Sequence, residues 1–298
     1  MGTAHCGSTL LTLILGSHPQ SFAVGELSNL SGFFKSGRPV CSICKETCEF
    51  WNHQVTADEL QLLIQGLSNQ RINPYIPLKL DRYIRFIGGR DQIFRPYSII
   101  FSKLDKTLLI DSTKTVEWIS SELELMEFKT GEIESYLLHL VRDGRAVMSS
   151  YLRRNSTMTV AEFSNLWLTR IKRERALYER FPTARKLRTR YEEIVTQPQE
   201  TLRLLCQWLG LDYSPEMLNY WQYDHHMVSG NTGTRSLIWK YRGDDWQGGQ
   251  VKKRYYSEEA GFNISLDQRW QRELSSVQIE DFRRLTDPYY QDFEWSAT

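Results

Sequence analysis

Short apolar runs alternate with longer amphipathic segments along much of the chain, and this alternation constrains the fold more than any other feature. Apolar runs bounded by turn residues predict buried strands, whereas apolar residues three or four positions apart predict helices. Strands are predicted at Ser21–Val24, Thr107–Asp111, Tyr136–Val141 and Lys186–Arg190. Helices are predicted at Ser8–Ser17, Ala57–Ser68, Thr113–Leu125, Gly144–Arg154, Val160–Phe181 and Pro198–Leu209. The alternation predicts an α/β fold with a central parallel sheet flanked by helices.

No internal repeat, low-complexity block or Ser/Gly-rich linker divides the 298 residues, so we expect a single domain over residues 1–298. Apolar residues make up 41% of the chain and charged residues 24%, a balance that excludes an intrinsically disordered protein. In such folds ligands bind beyond the carboxyl ends of the parallel strands. The loops that follow the predicted strands are therefore where functional residues are expected.

The charge balance and the cysteine content restrict the partners and the compartment. The 37 basic and 36 acidic residues give a net charge of +1, which excludes a general polyanion binder, so no nucleic-acid partner is expected. The apolar run near the start is too short to span a bilayer, so no membrane partner is expected. Five cysteines are a poor match to a secreted disulfide framework, and we expect a cytoplasmic location.

A glycine loop opens the chain and leads into the first predicted helix. Gly2 and Gly7, followed by Ser8 and Thr9, have the spacing of the phosphate-binding loop G-x-x-x-x-G-K with Ser or Thr, but Ser8 stands in place of the lysine. Without that lysine, kinase or ATPase chemistry is disfavoured. Small residues, hydroxyl donors and a helix start still suit an anion, although a plain glycine turn is the alternative.

A second motif follows the strand predicted at 136–141. Arg142 stands at the strand end, and Ser150 lies eight residues later in the next helix. The planar guanidinium suits phosphate, and a hydroxyl about two turns into the helix can donate a further hydrogen bond to the same phosphate. The alternative is an exposed, arginine-rich helix with an acidic residue near its first turn.

The two motifs together resemble the sulfotransferase family, whose members use 3′-phosphoadenosine 5′-phosphosulfate (PAPS). The resemblance implies that the first loop binds the 5′-phosphosulfate through Gly2, His5, Cys6, Gly7, Ser8 and Thr9. It implies that Arg142 and Ser150 bind the 3′-phosphate. Tyr191 lies in a segment similar to the family's Tyr-Glu-Asp segment, which implies a place near the adenine. Arg235, in a late Gly-Asn…Arg segment, is a second candidate for the 3′-phosphate. The greatest likeness is to bacterial sulfotransferases, including those that modify small natural products.

The resemblance also implies three catalytic residues. Glu26 follows a predicted strand and would deprotonate the acceptor, unless it is a surface or helix-capping glutamate. His5 stands where most family members have Lys or Arg, and it would stabilise the bridging oxygen if bound anions raise its pKa, in which case activity falls as pH rises. A neutral histidine that only hydrogen-bonds within the loop is the alternative. Lys114 would supply positive charge near the sulfonate, with a solvated lysine as its alternative.

Three closely spaced cysteines form a separate motif. Cys41, Cys44 and Cys48, with His53 nearby, have the ligand types and close spacing of a zinc site. A disulfide pair and inert thiols are the alternatives. This loop lies where the family likeness is weakest, so it can shape the acceptor pocket instead of contacting PAPS.

Taken with the resemblance, these motifs predict transfer of a sulfuryl group from PAPS to a hydroxyl or amine of a small-molecule acceptor, with no metal required. A P-loop-type kinase would need Mg-ATP instead, and a non-catalytic nucleotide-binding module would turn nothing over. We expect residues 27–105 and 236–265 to form the acceptor pocket and a lid. Family members have a buried strand before the first loop, whereas Met1 immediately precedes Gly2. Either residues of that strand are missing upstream, which we favour, or the sheet lacks its expected central strand and is less stable.

Overall fold

Four short parallel strands organise the fold. The structure, a computed structural model, describes residues 1–67, 77, 80, 83–84, 95–243 and 262–296. Each strand begins and ends within one residue of its predicted position. The strands are β1 (Ser21–Gly25), β2 (Leu108–Asp111), β3 (Leu137–Val141) and β4 (Lys186–Arg190).

The strands pair in two parallel sheets. β1 pairs with β2, from Ser21 opposite Leu108 to Gly25 opposite Asp111, and β3 pairs with β4 along its whole length. The α/β class and the parallel pairing are confirmed, but the described strands form two pairs and not one continuous central sheet. Main-chain hydrogen bonds join the other edge of β3 to Met1, whose amino group donates to the carbonyl of Leu138 at 2.9 Å.

Helices follow each strand and cover the two strand pairs. The α-helices are α1 (Ser8–Gly16), α2 (Leu30–Lys35), α3 (Ala57–Leu67), α4 (Pro96–Phe101), α5 (Val116–Glu122), α6 (Met126–Lys129), α7 (Gly144–Arg154), α8 (Val160–Arg180), α9 (Tyr191–Thr196), α10 (Pro198–Leu209), α11 (Thr232–Arg242), α12 (Trp270–Glu273) and α13 (Ser276–Thr286). A π-helical segment, Phe50–Gln54, follows the cysteine loop, and Pro215–Gln222 is a longer 3-10 segment.

Local capping explains where these helices begin and end. α8 starts at a capping box between Thr159 and Glu162, and α10 ends before Gly210, which has a φ of 70°. α5 is shorter than the helix predicted from residue 113, because the side chain of Thr115 accepts a hydrogen bond from the N–H of Trp118 and caps the helix there.

The apolar face of α1 anchors the glycine loop to the core. Leu13 and Ile14 are fully buried, and the helix packs against β1. Because the helix is held in this way, the loop before it has a fixed position beside the strand ends.

Parts of the predicted acceptor pocket and lid, residues 68–76, 78–79, 81–82, 85–94 and 244–261, lie outside the described residues. Within the part of the chain that the structure describes, no helix is long and apolar enough to cross a bilayer.

Candidate active site

The glycine loop passes closely between β3 and the start of α9. A Cβ at Gly2 would lie 2.4 Å from the carbonyl oxygen of Leu140, and a Cβ at Gly7 would lie 2.4 Å from Cδ2 of Tyr191. Gly7 also has a φ of 94°, which favours glycine. α1 begins at Ser8 with no acidic residue in its first turn. The partial positive charge of this helix start is therefore not neutralised from within the helix.

Arg142 joins the loop to two other segments. It is 7% exposed at the end of β3; its Nη1 donates to the carbonyl of His5 at 2.8 Å, and its Nη2 donates to Oδ2 of Asp267 at 3.0 Å. The guanidinium carbon lies 4.4 Å from the ring centre of Tyr191. Its buried Nε has no hydrogen-bond partner among the described residues. The structure thus brings Arg142, Tyr191 and the loop together, as the sequence motifs predict, and leaves one buried donor open.

Asp267 is a carboxylate that already faces this arginine. Its oxygens also accept hydrogen bonds from Arg269 at 2.6 and 2.7 Å. Burial raises the pKa of Asp267, but the hydrogen bonds and charges of Arg269 and Arg142 outweigh it and hold the pKa well below its ordinary value. Asp267 is therefore ionised and supplies one of the negative charges beside Arg142.

His5 lies in a strongly positive environment. It has a left-handed φ of 66°, and its ring contacts that of Tyr151 edge-on, with centroids 5.3 Å apart. Burial, followed by nearby positive charges, lowers the pKa of His5 to about 4; the charges are those of Arg154, Arg142, Lys114 and Arg153. Without a bound anion His5 is thus neutral near pH 7, and the four surrounding cations favour an anion at this place.

Glu26 and Lys114 form an ion pair at the end of the other strand pair. Glu26 directly follows β1, and Lys114 lies three residues after β2. Because β1 and β2 pair in parallel and their last partners are Gly25 and Asp111, both residues reach the same sheet edge. The ammonium of Lys114 contacts Oε1 of Glu26, and Oε2 accepts a hydrogen bond from Asn29 at 3.0 Å. Their side chains are 22% and 15% exposed, so both remain within reach of a ligand.

Asp111 fixes the turn that carries Lys114. Its Oδ1 accepts from the N–H of Thr113 at 2.7 Å, while its Oδ2 accepts from the hydroxyl of Tyr97 and the indole N–H of Trp118. These bonds hold the backbone after β2 in one conformation. The lysine is thereby presented to Glu26 by a rigid support.

The other loop residues differ in how accessible they are. Cys6 is fully buried, and burial raises the pKa of its thiol. The hydroxyl of Thr9 is engaged, because it accepts a hydrogen bond from the N–H of Asn231 at 2.8 Å. Ser8 is only half-buried. Ser8 and the loop backbone are consequently better placed than Cys6 to meet a ligand.

Ser150 and Arg235 are hydrogen-bonded elsewhere in this structure. The hydroxyl of Ser150 donates to the carbonyl of Ala146 at 3.0 Å, within its own helix. Nη1 of Arg235 donates to the carbonyl of Ser42 at 2.7 Å, and burial lowers the pKa of this guanidinium to about 10. The described hydrogen bonds join neither residue to Arg142. Their contacts with a 3′-phosphate stay predictions.

Sequence reasoning missed three residues that surround the site, namely Tyr151, Arg154 and Asp267. Arg154 is exposed, makes no described hydrogen bond or ion pair, and is the leading charge that acts on His5. Arginines at the end of a helix interact favourably with the helix dipole. Because this structural role explains Arg154 fully, there was no reason in the sequence to place it near the site. Asp267 carries no motif that could have been recognised.

The predicted zinc ligands require a correction. Cys41, Cys44 and Cys48 do lie together, but the fourth residue of the cluster is His226 and not His53. His53 lies in the π-helical segment, where it is exposed and is not part of the cluster. His226 reaches them because its segment lies across the cysteine loop, a tertiary contact that sequence spacing does not reveal.

Comparison with known proteins shows similarity to sulfotransferases in sequence and in fold. Residues 134–215, which include β3, Arg142, α7 and Tyr191, match the model of the sulfotransferase family. No curated protein matches the chain in sequence.

Two solved structures resemble the chain in fold. The sulfotransferase domain of the Synechococcus PCC 7002 olefin synthase has a TM-score of 0.50 at 21% identity, over 80% of this chain and 83% of that one. The sulfotransferase domain from the curacin biosynthetic pathway has a TM-score of 0.51 at 16% identity, over 99% of this chain and 96% of that one. The resemblance to the sulfotransferase family is therefore confirmed, by sequence over residues 134–215 and by fold over most of the chain.

Proposed function

We propose that the protein transfers a sulfuryl group from PAPS to a hydroxyl or amine of a small-molecule acceptor, by in-line displacement. One observation carries the proposal. Glu26 and Lys114 form an ion pair, and Lys114 is also one of the four cations that act on His5. Sulfuryl transfer needs a base that takes the proton of the acceptor and cations that stabilise the negative charge on the leaving oxygen. The family match over residues 134–215 supports the same reaction class.

The proposed donor site consists of the glycine loop, Arg142 and Tyr191. Backbone N–H groups at the start of α1 meet the 5′-phosphosulfate, and Arg142 meets the 3′-phosphate. The buried Nε of Arg142 supports this assignment, since it is a donor still in need of an acceptor. The ring of Tyr191 holds the guanidinium from one face and offers its edge to the adenine.

The proposed transfer uses Glu26 as the base and Lys114 as the electrophilic partner. PAPS, when bound, supplies the sulfuryl group and leaves as adenosine 3′,5′-bisphosphate once the bond from sulfur to the bridging oxygen breaks. Glu26 takes the proton of the attacking hydroxyl or amine. Protonation removes the charge that holds the ammonium of Lys114, which is then free to donate to the bridging oxygen. His5 becomes a second donor when bound anions raise its pKa.

The acceptor is proposed to be a small molecule of the natural-product type. The two structural neighbours are sulfotransferase domains from an olefin synthase and from the curacin pathway, and this setting supports the proposal. Screening a panel of hydroxyl and amine acceptors with labelled PAPS identifies the class.

Calorimetry with adenosine 3′,5′-bisphosphate and with Mg-ATP tests the donor. We expect binding of the bisphosphate and much weaker binding of ATP, since the lysine of the triphosphate-binding motif is replaced by Ser8. Tight binding of ATP without binding of the bisphosphate would contradict the proposal and favour a kinase.

The Glu26→Gln variant tests the base. Glutamine keeps the shape and the contact with Asn29 but accepts no proton, so we expect a loss of turnover of about 100-fold or more with nearly unchanged bisphosphate affinity. Glu49→Gln, at an exposed position near the cysteine loop, is the matched control and keeps full activity. Retained turnover in Glu26→Gln would remove Glu26 from the mechanism.

A further inference from the structure

Three cysteines of one loop and a histidine of a distant segment converge on a single point. The Sγ atoms of Cys41, Cys44 and Cys48 and a ring nitrogen of His226 all lie within 4.8 Å of one another. Nδ1 of His226 lies 3.3 Å from Sγ of Cys48 and 3.8 Å from Sγ of Cys44. More than 170 positions separate the histidine from the cysteines, so folding creates this cluster.

These distances fit the dimensions of tetrahedral zinc. Zinc–sulfur bonds of about 2.3 Å and zinc–nitrogen bonds of about 2.0 Å place two sulfurs about 3.8 Å apart, and a sulfur and a nitrogen about 3.5 Å apart. The two sulfur–nitrogen distances observed bracket that value. A metal at the centre needs only small side-chain movements.

The surroundings favour thiolate ligands. Cys41 and Cys48 are fully buried, and Cys44 is half-buried. The N–H of Cys44 donates to Sγ of Cys41 at 3.3 Å, and a guanidinium nitrogen of Arg242 lies 3.9 Å from Sγ of Cys44. Both donors stabilise negative sulfur.

Aromatic packing fixes the histidine. The ring of His226 stacks on those of Phe22 and Phe50, with centroids 5.8 and 6.1 Å apart. The carbonyl of His226 accepts a hydrogen bond from the indole of Trp51. The imidazole is thus oriented with Nδ1 toward the sulfurs by groups that do not themselves bind metal.

We propose that Cys41, Cys44, Cys48 and His226 bind one zinc ion. Three soft thiolates and one imidazole in a closed, four-ligand arrangement suit zinc and exclude the oxygen-seeking cations magnesium and calcium. With all four positions filled by protein, the ion has no open position for a reactant, so its role is structural. Binding displaces the thiol protons into solvent.

The ion clamps the cysteine loop to the segment that leads into α11. Ser42 already donates through its N–H and its hydroxyl to the carbonyl of Met227, at 2.8 and 2.7 Å. Arg235 donates to the carbonyl of Ser42 from the other side. The metal therefore strengthens a junction distinct from the Glu26–Lys114 pair, and its presence does not depend on the proposed reaction.

Metal analysis of the reduced full chain, purified without an affinity tag, tests the site. We expect about one zinc per chain, bound at four protein ligands. Cys44→Ser and His226→Ala should lose most of this zinc. Two matched controls should keep it: His53→Ala removes a nearby histidine outside the cluster, and Cys206→Ala removes a buried thiol elsewhere in the core.

Cobalt(II) replacement in the wild-type chain tests the site without any variant, so its result does not depend on whether the variants fold. After chelation and reconstitution with cobalt, we expect thiolate-to-cobalt charge transfer and the intense ligand-field bands of a tetrahedral centre. Zinc-free protein that rejects added zinc, a disulfide among the three cysteines in the isolated protein, or an octahedral cobalt spectrum would each overturn the proposal. Zinc retained by His226→Ala but lost from His53→Ala would overturn the ligand set.

Discussion

The protonation of His5 depends on what lies beside it. In the free protein, burial and four cations lower its pKa to about 4, so that the ring is neutral at pH 7. The negative charge of phosphate and sulfonate groups bound beside the ring, as we propose, is expected to raise that pKa. A lysine or arginine at this position would be charged in both states, whereas we expect His5 to gain its proton only together with the ligand.

Proton uptake on binding measures this change. Because the pKa of His5 rises on binding, the complex takes up a proton between pH 4 and the raised pKa, and affinity for adenosine 3′,5′-bisphosphate increases as pH falls, by at most about tenfold per pH unit. Calorimetry at one pH in two buffers of different ionisation enthalpy gives the number of protons taken up.

The ligand itself titrates, so a variant supplies the reference. Phosphate groups have a second pKa of about 6 and contribute their own proton exchange. His5→Asn keeps a hydrogen-bonding side chain without the titration, and Asn tolerates the left-handed φ of 66°. Equal proton uptake by the wild type and His5→Asn would show that His5 stays neutral in the complex.

The strand and helix elements follow closely from local pattern. β4, α7 and α10 have the same bounds as predicted, since their apolar spacing and their Asp143, Pro198 and Gly210 boundaries act locally. The division of the strands into two pairs could not be predicted, because pairing depends on tertiary placement. His226 was missed for the same reason, as it reaches the cysteines only through the folded chain.

Gly7, which connects the glycine loop to α1, allows the packing of the loop against Tyr191 to be tested. A Cβ at Gly7 would meet Tyr191 at 2.4 Å in a left-handed conformation, and the ring lies against Arg142 and has little freedom to move. We expect Gly7→Ala to lower the free energy of unfolding by more than the roughly 1–2 kcal/mol of backbone strain alone, and to weaken bisphosphate binding. Urea denaturation and calorimetry measure both effects.

Gly210→Ala is the control for strain without a clash. Gly210 has a φ of 70°, and a Cβ there would meet nothing within 4 Å. We expect a loss of about 1 kcal/mol and unchanged bisphosphate affinity. Similar losses in the two variants would show that Tyr191 does not constrain the loop.

At the scale of the whole molecule, a net charge of +1 coexists with a local concentration of cations. Arg142, Arg153, Arg154 and Lys114 act together on His5, although Arg142, Arg153 and Lys114 are each paired with a carboxylate. Composition excluded a general polyanion binder and left open where an anion would bind. The cations around His5 make the glycine loop the place where we propose that an anion binds.

Ligand stabilisation of the folded chain reports on this site as a whole. At about 100 times its Kd, adenosine 3′,5′-bisphosphate should stabilise the protein by about 2.7 kcal/mol, which raises Tm by about 5 °C. In Arg142→Ala the shift at the same concentration should fall by about half or more, because a charged hydrogen-bond donor is lost. Thermal unfolding followed by circular dichroism measures the shift. Arg188→Ala, at an exposed position on β4, is the control, and an undiminished shift in Arg142→Ala would place the ligand elsewhere.

The two strand pairs divide the proposed reaction between them. β3 carries Arg142 and is bonded to β4, while β1 and β2 present Glu26 and Lys114. In evolutionary terms this is a modular arrangement: residues 27–105, attached to β1 and β2, can change with the acceptor while the residues proposed to hold the donor stay the same. A designer who seeks new acceptors would accordingly diversify residues 27–105 and leave the glycine loop, Glu26, Lys114 and residues 134–215 untouched.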